Sequence, residues 1–437
     1  MLKSYQNHAI VARISQIITL LFSTVLSVPT VKNIVALVLA MVCLSGISSV
    51  RHLYDCFLDS FRTKTLNSYY HTLEKVGSKL SELELCVLRQ LFKLPHLTEL
   101  LEEYPLLFLV DDTLQPKFGK KFEHVKILHD HARHLGKEFV NAHDFVTLAV
   151  AFPMHDPAEP QSVHYFMVPF ACRMYQPEGD SKLKMAAELA ERALKIVGQQ
   201  QHIIFECDSW YPKKDVLNFV KNHDNVDFIA NIRKDTALYQ LPQRTGKRGR
   251  PRKYGEKFKA TEIVLTDQDD HYAVGMTKCM TKLLGQAVWV IRSQSRHEGE
   301  RLFISTLPLQ DLPKLTPHQT GFWRVLDYYN QRWKIETYFY EIKKFWSFGS
   351  YQVRSQNKIE GLHFIANLAY LLTQLLPQIQ PAWQELQGRG ARKNALSRAI
   401  SKERIFTSLA QAAQKHQNSE IILQFILEVG SRTQKNS

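Results

Sequence analysis

Residues 328–345, "YYNQRWKIETYFYEIKKF", place a tyrosine, an arginine, a glutamate and a lysine at spacings that fit one side of a helix. At 100° per residue, Tyr329, Arg332, Glu336 and Lys343 fall within an arc of about 60°. Two further acidic positions follow apolar runs. Asp111 and Asp112 follow "LLFLV", and Asp208 follows "HIIFEC". A carboxylate at the end of an apolar strand is costly unless something pairs with it, and a divalent cation is the strongest common partner. If the two strands are neighbours their carboxylates converge, and Glu336 adds a third oxygen ligand. Three carboxylates can hold two Mg²⁺ ions, one activating an attacking oxygen and one stabilising the leaving oxygen of an in-line displacement at phosphorus. Arg332 and Lys343 would seat a phosphate backbone nearby, and Tyr329 offers a hydroxyl and a ring. Two plainer readings compete. Each aspartate could be a helix N-cap or turn starter, and Arg332 with Glu336 could be an i,i+4 surface pair worth a few tenths of a kcal/mol.

The elements that must position these groups are readable in outline. Residues 1–104 carry helical patterns only, including a Ser-x-x-Glu start at Ser81 and Glu84. After Pro105 come three β-rich runs, "LLFLVDDT", "DFVTLAVAF" and "VHYFMVPFAC", then a helix over about 181–198. A fourth run, "HIIFECDSW", a helix from about 213 and a fifth run, "DFIANIRK", complete residues 105–234. A block of strands followed by alternation with helices predicts a mixed sheet in an α/β layer architecture. Residues 235–300 read as a β-rich insertion with a basic loop, "TGKRGRPRKYG", and strand-like pieces "ATEIVLTD", "HYAVGMTKC" and "QAVWVIRS". Residues 301–375 hold a last strand, "RLFISTL", one long helix over about 316–346, and a second helix. Residues 376–437 form a polar helical tail.

With 437 residues, 45% of them hydrophobic, the chain can build two or three domains with a real core. Its net charge of +14 makes nucleic acid the first partner to consider. Six scattered cysteines without a CxxC pair suggest neither a zinc knuckle nor a disulfide framework, and fit a reducing cytoplasm. The run "NIVALVLAMVCLSGISSV" (33–50) falls short of a membrane span and is expected to be a buried helix. No Walker loop, dinucleotide fingerprint or nucleophile elbow is present.

Tyr-x2-Arg-x3-Glu-x6-Lys at 329–343 resembles the YREK signature of DDE transposases of the insertion-sequence-four superfamily, to which the Tn-five-type enzymes belong. "DDT" at 111–113 fits that family's first catalytic aspartate with Asp111, Asp112 being the rival, and "FECDSWY" fits the second with Asp208. The resemblance spans about 105–375. It implies a ribonuclease-H-like mixed five-stranded sheet interrupted by the β-rich insertion and flanked by helical regions. It further implies catalysis by Asp111, Asp208 and Glu336 with two Mg²⁺ (Mn²⁺ substituting), and Tyr329, Arg332 and Lys343 on transposon-end phosphates. The expected partners are double-stranded DNA and a second copy of the chain in a synaptic complex, with no membrane, in a bacterial cytoplasm. The N-terminal helices would read the terminal inverted repeats. A structure-specific nuclease and a catalytically dead repressor on the same fold are the alternatives.

Secondary signals are weaker. Arg248 and Arg250 lie in Arg-Gly-Arg-Pro, the core of a minor-groove AT-hook, though a basic turn on phosphates or a solvated loop explains it as well. Lys117 follows Asp111 closely enough to reach phosphate. Trp289 in the insertion is expected to be strand core, with base stacking as the rarer use. His129, Asp130, His131 and His134 do not match a known ligand spacing.

Overall fold

A computed structural model of the chain describes residues 10–59, 64–130, 135–156, 159, 162–243, 252–295, 297, 299–307, 313–315, 321–379, 386 and 388–416. The chain divides into two compact units: 1–78 with 341–353 and 357–437, and 79–340 with 354–356.

The first unit is helical. α1 (Ile10–Phe22), α2 (Val28–Cys43) and α3 (Leu66–Ser78) come from its N-terminal segment. α2 is apolar on almost every side because other helices surround it: Val31, Ile34, Leu37, Val38 and Met41 are all buried. Among the described residues no helix is long and apolar enough to cross a membrane. A π turn, Tyr54–Leu58, extends a short helical turn at Val50–Leu53.

The second unit is built on one twelve-stranded sheet. Its strands are β1 (Leu106–Pro116), β2 (Lys126–His129), β3 (Phe139–His155), β4 (Val163–Met174), β5 (Ile203–Cys207), β6 (Val226–Ile232), β7 (Leu238–Tyr239), β8 (Lys257–Phe258), β9 (Asp267–Gln268), β10 (Tyr272–Thr281), β11 (Ala287–Ser295) and β12 (Gly299–Ser305). All five strands expected in residues 105–234 are present. β4 pairs antiparallel with β3 and β3 antiparallel with β1; β1 runs parallel to β5 and β5 parallel to β6. Central strands read as largely apolar runs because both faces are covered: Leu106 to Val110 and Ile203 to Cys207 are buried throughout, Glu206 being the one charged residue among them.

The insertion does not stand apart from this sheet. β12 pairs antiparallel with β6, β11 with β12 and β10 with β11, so the sheet continues without a break. "ATEIVLTD" is no strand of its own: Ala260–Glu262 is a 3₁₀ turn and only Asp267 onward joins the sheet, through β9. Trp289 is half-buried on β11 with Lys278 over its ring. Residues 244–251, with Arg248 and Arg250, lie outside the described residues, as do His131 and His134.

Further helices are α4 (Leu80–Leu91), α5 (Lys182–Val197), α6 (Lys214–Asn222), α7 (Gly321–Asn330), α8 (Trp333–Trp346), α9 (Gln356–Ile379) and α10 (Arg389–His416). α5 packs on β3 and β4 and against α6, and α7 packs on β6 and β10. α4 has no capping box, because Glu84 is turned inward. It is buried between Arg173 of β4 and Arg192 of α5, which donate to it at 2.5–2.7 Å. The long helix expected over 316–346 is two helices. The backbone tightens at Gln331 and Arg332, whose amides donate to Tyr328 and Tyr329 carbonyls three residues back, the spacing of a 3₁₀ turn.

Candidate active site

Two parallel strands and the α7–α8 junction bring the polar residues together. Pairing of β1 with β5 ends at Val110 and Cys207. Asp111 and Asp208 are the next residue on each, so they leave adjacent strands at the same level. Asp111 is not the end of its own strand: β1 runs on to Pro116, held by β3 alone, with Asp111 opposite Thr147.

Side chains of successive strand residues point to opposite faces, and this separates Asp111 from its rival. Asp111 Oδ2 accepts from Arg332 Nη1 at 3.2 Å, and Arg332 Nη2 donates to Glu336 Oε1. Asp112 sits on the other face. Its Oδ2 accepts from Lys182 Nζ at 2.7 Å and its Oδ1 from the Tyr211 hydroxyl at 2.8 Å. Lys182 also pairs with Asp144 of β3. This second cluster is a buried network that holds α5 and the loop after β5 to the sheet. Burial, then the neighbouring Asp112, push the Asp144 carboxyl up to about 6 despite Lys182.

Arg332 is the hub of the first cluster. Its side chain is mostly buried, its guanidinium lies 5.6 Å from the Tyr329 ring centroid, and it bridges the carboxylates of Asp111 and Glu336. Burial works against its charge, but Tyr329, Asp111 and Glu336 outweigh that and hold its pKa above the ordinary value. The Asp111 carboxyl is pushed up to about 7, first by burial and then by Asp112 and Asp208, with Arg332 only partly offsetting them. Asp208 Oδ1 accepts from the Trp210 amide at 2.9 Å, an Asx-type turn that fixes the side chain.

Two buried groups near this cluster were not legible in the sequence. Glu206 lies on β5, two residues before Asp208 and so on the same face, opposite Leu109. It is fully buried, both oxygens lack a hydrogen-bond partner among the described residues, and burial raises its pKa well above the carboxylate range. Its only sequence signal is an acid inside "IIFEC". Tyr211 is fully buried beneath Asp112.

The other expected site residues are placed as follows. Tyr329 is buried, edge-on to Phe303 at 4.8 Å. Lys343 is half-buried in the last turns of α8, in the portion that belongs to the helical unit. Lys117 is buried with its Nζ 5.3 Å from the Phe122 ring centroid, and burial lowers its pKa to about 7. Of their neighbours, Tyr328 and Phe339 are buried and Trp333, beside Arg332, is 64% exposed.

As donors, three carboxylates suit a hard divalent cation. The raised Asp111 pKa marks a spot where added positive charge would be favourable. In the geometry seen, Arg332 supplies that charge between Asp111 and Glu336. Among the described residues no three acidic, His or Cys side chains stand close enough together to hold a metal ion.

No curated protein matches the chain. A cryo-EM structure of a piggyBac transposase synaptic complex with hairpin DNA aligns over 85% of this chain and 71% of its own, with a TM-score of 0.42 and 10% identity. The family model described as the transposase DDE domain matches residues 174–372, a span that contains Asp208, Tyr329, Arg332, Glu336 and Lys343 and begins after Asp111. That match covers less than half of the chain and falls on the strands and helices that carry Asp208, Arg332 and Glu336.

Proposed function

We propose that the chain is a DNA transposase of the insertion-sequence-four type. It would bind the terminal inverted repeats of its element, cleave there to free 3′-hydroxyls, and direct those hydroxyls onto target DNA. The observation that carries this is the meeting on one sheet face of Asp111, on a strand parallel to the one that leads to Asp208, with the Arg332–Glu336 pair. The sheet order β4-β3-β1-β5-β6, antiparallel on one side of β1 and parallel on the other, agrees with the ribonuclease-H-like core that the sequence resemblance implies.

Asp111, Asp208 and Glu336 would hold two Mg²⁺ ions. Bound there, the ions would activate the attacking oxygen and stabilise the leaving one. The chain's own groups do the rest. Glu336 must leave Arg332 to join the aspartates, which frees a guanidinium for a non-bridging phosphate oxygen. Tyr329 stacks against that guanidinium and limits where it can swing. Trp210 holds Asp208 in one rotamer. Two ends must be joined in step, so two copies of the chain act together.

Purified protein incubated with Mn²⁺ and labelled duplexes carrying the repeats that flank its gene tests this, beside a Glu336→Ala protein. Nicking at the repeat boundary by the parent alone is the expected result. Binding by both with cutting by neither would favour a repressor, and equal cutting by both would remove Glu336 from the site.

A further inference from the structure

Residues 117–121, "KFGKK", form the turn that follows β1, and they present an aromatic ring to solvent on a fixed mount. Phe118 is 85% exposed, more than any other large hydrophobic side chain among the described residues. The turn around it is pinned on both sides. The Lys117 amide donates to the Asn141 carbonyl at 2.7 Å, and Asn141 Nδ2 donates to the carbonyls of Lys117 and Gly119, each at 3.0 Å. Lys117 itself is buried, and Gly119 takes φ +113°, a backbone state that favours glycine. A flexible loop could fold such a ring back; this one holds it out.

The surroundings select a partner. Lys120 and Lys121 are exposed directly after the ring. Ile127 of β2 and Phe139 of β3, 74% and 58% exposed, lie on the Asn141 face of the neighbouring strands. Lys126 is committed to Glu178 and is not counted. A lone exposed phenylalanine needs no explanation, but a ring mounted on a pinned turn and followed by two exposed lysines matches the apolar wedges that proteins push between base steps. Charge complementarity with a polyanion agrees with the chain's +14.

We propose that the 117–121 turn is a second DNA contact, in which Lys120 and Lys121 hold phosphates and the Phe118 ring enters the base stack of duplex DNA. This rests on the reading of the chain as a transposase. Phe118 is seven residues beyond Asp111 along the chain, in the turn after β1, so the two are at most about 25 Å apart. The wedge therefore lies within about seven base pairs of the phosphate at the catalytic cluster, taking about 3.4 Å per step.

Full-length protein is mixed with duplexes of the flanking repeats in which 2-aminopurine replaces one base at a time. The expected result is a fluorescence rise, as a base unstacks, at one step within about seven base pairs of the repeat boundary. Phe118→Ala should abolish that rise and weaken binding about five- to a hundredfold, with an unchanged melting temperature since the ring buries almost nothing. Lys120→Ala with Lys121→Ala should reduce the slope of log K against log salt by about 1.8. If the parent binds DNA but Phe118→Ala keeps both affinity and signal, the wedge is refuted while the transposase reading stands. If the parent binds no duplex at all, the reading itself fails and the wedge with it. Binding to phosphatidylserine vesicles that is lost in Phe118→Ala, with DNA binding unchanged, would overturn the proposal in favour of a membrane contact.

Discussion

Asp111 should destabilise the protein at neutral pH in the absence of metal, and replacing it should reveal by how much. Its carboxyl rises from an ordinary 3.8 to about 7. Between those values the folded chain keeps a proton that the unfolded chain has lost, so stability falls as pH rises through that window. A rise of this size corresponds to about 4 kcal/mol. The side chain is 18% exposed, and solvent reduces the figure, so about 2–4 kcal/mol is expected at pH 8. Asp111→Asn has nothing to ionise and can still accept a hydrogen bond from Arg332. It should therefore melt at about the same temperature as the parent near pH 4 and about 5–10 °C higher at pH 8. Thermal unfolding followed by tryptophan fluorescence across that range, in chelator, reads the difference. Millimolar Mg²⁺ should close the gap by stabilising the parent alone. A variant no more stable at pH 8 than the parent, or one whose advantage does not change with pH, would mean that Arg332 fully compensates the carboxylate and that no cation is called for there.

Other predictions concern packing. Glu84→Ala would leave Arg173 and Arg192 facing each other in a buried site; a loss of about 3–5 kcal/mol is expected, read as a lower melting temperature of the sheet unit. Gly77→Ala should disrupt the helical unit, because a Cβ there would lie 1.9 Å from the Asn357 carbonyl oxygen where α3 crosses α9. Limited proteolysis within residues 10–58 should then speed up markedly, and Gly361→Ala, whose Cβ would sit 2.3 Å from the Leu73 carbonyl, should behave alike.

Sequence patterns located the strands well and the junctions poorly, for physical reasons. Leu106 to Val110 and, apart from Glu206, Ile203 to Cys207 are apolar because the central strands of a covered sheet must be, and that signal survives without any partner. The split between α7 and α8 left no trace. No proline or glycine interrupts "YYNQRWKIE", and the break is a tightening of hydrogen bonds from four-residue to three-residue spacing at Gln331 and Arg332. The single-arc picture of Tyr329, Arg332, Glu336 and Lys343 therefore fails at Arg332, although the pairing with Glu336 survives because the turn still rises helically. That Asp111 and Asp112 face opposite sides follows from the alternation of a strand, but which of them meets Arg332 depends on which face α8 occupies. The second fact is tertiary. Glu206 was hidden for the same reason: nothing in "HIIFEC" says that its carboxyl enters an interior without a counter-donor.

The return of β12 alongside β6 has a further meaning for this chain. The polypeptide departs after Ile232 and comes back at Leu302, its register partner, about 5 Å away across an antiparallel ladder. Everything between is an excursion with touching ends. Its length adds little to the entropy of closing the loop, since doubling such a loop costs only about 0.6 kcal/mol. A lineage can thus lengthen, trim or exchange the excursion as a cassette while β5, β6 and the start of α7 keep their places. What the chain touches can diversify quickly around carboxylates that do not move.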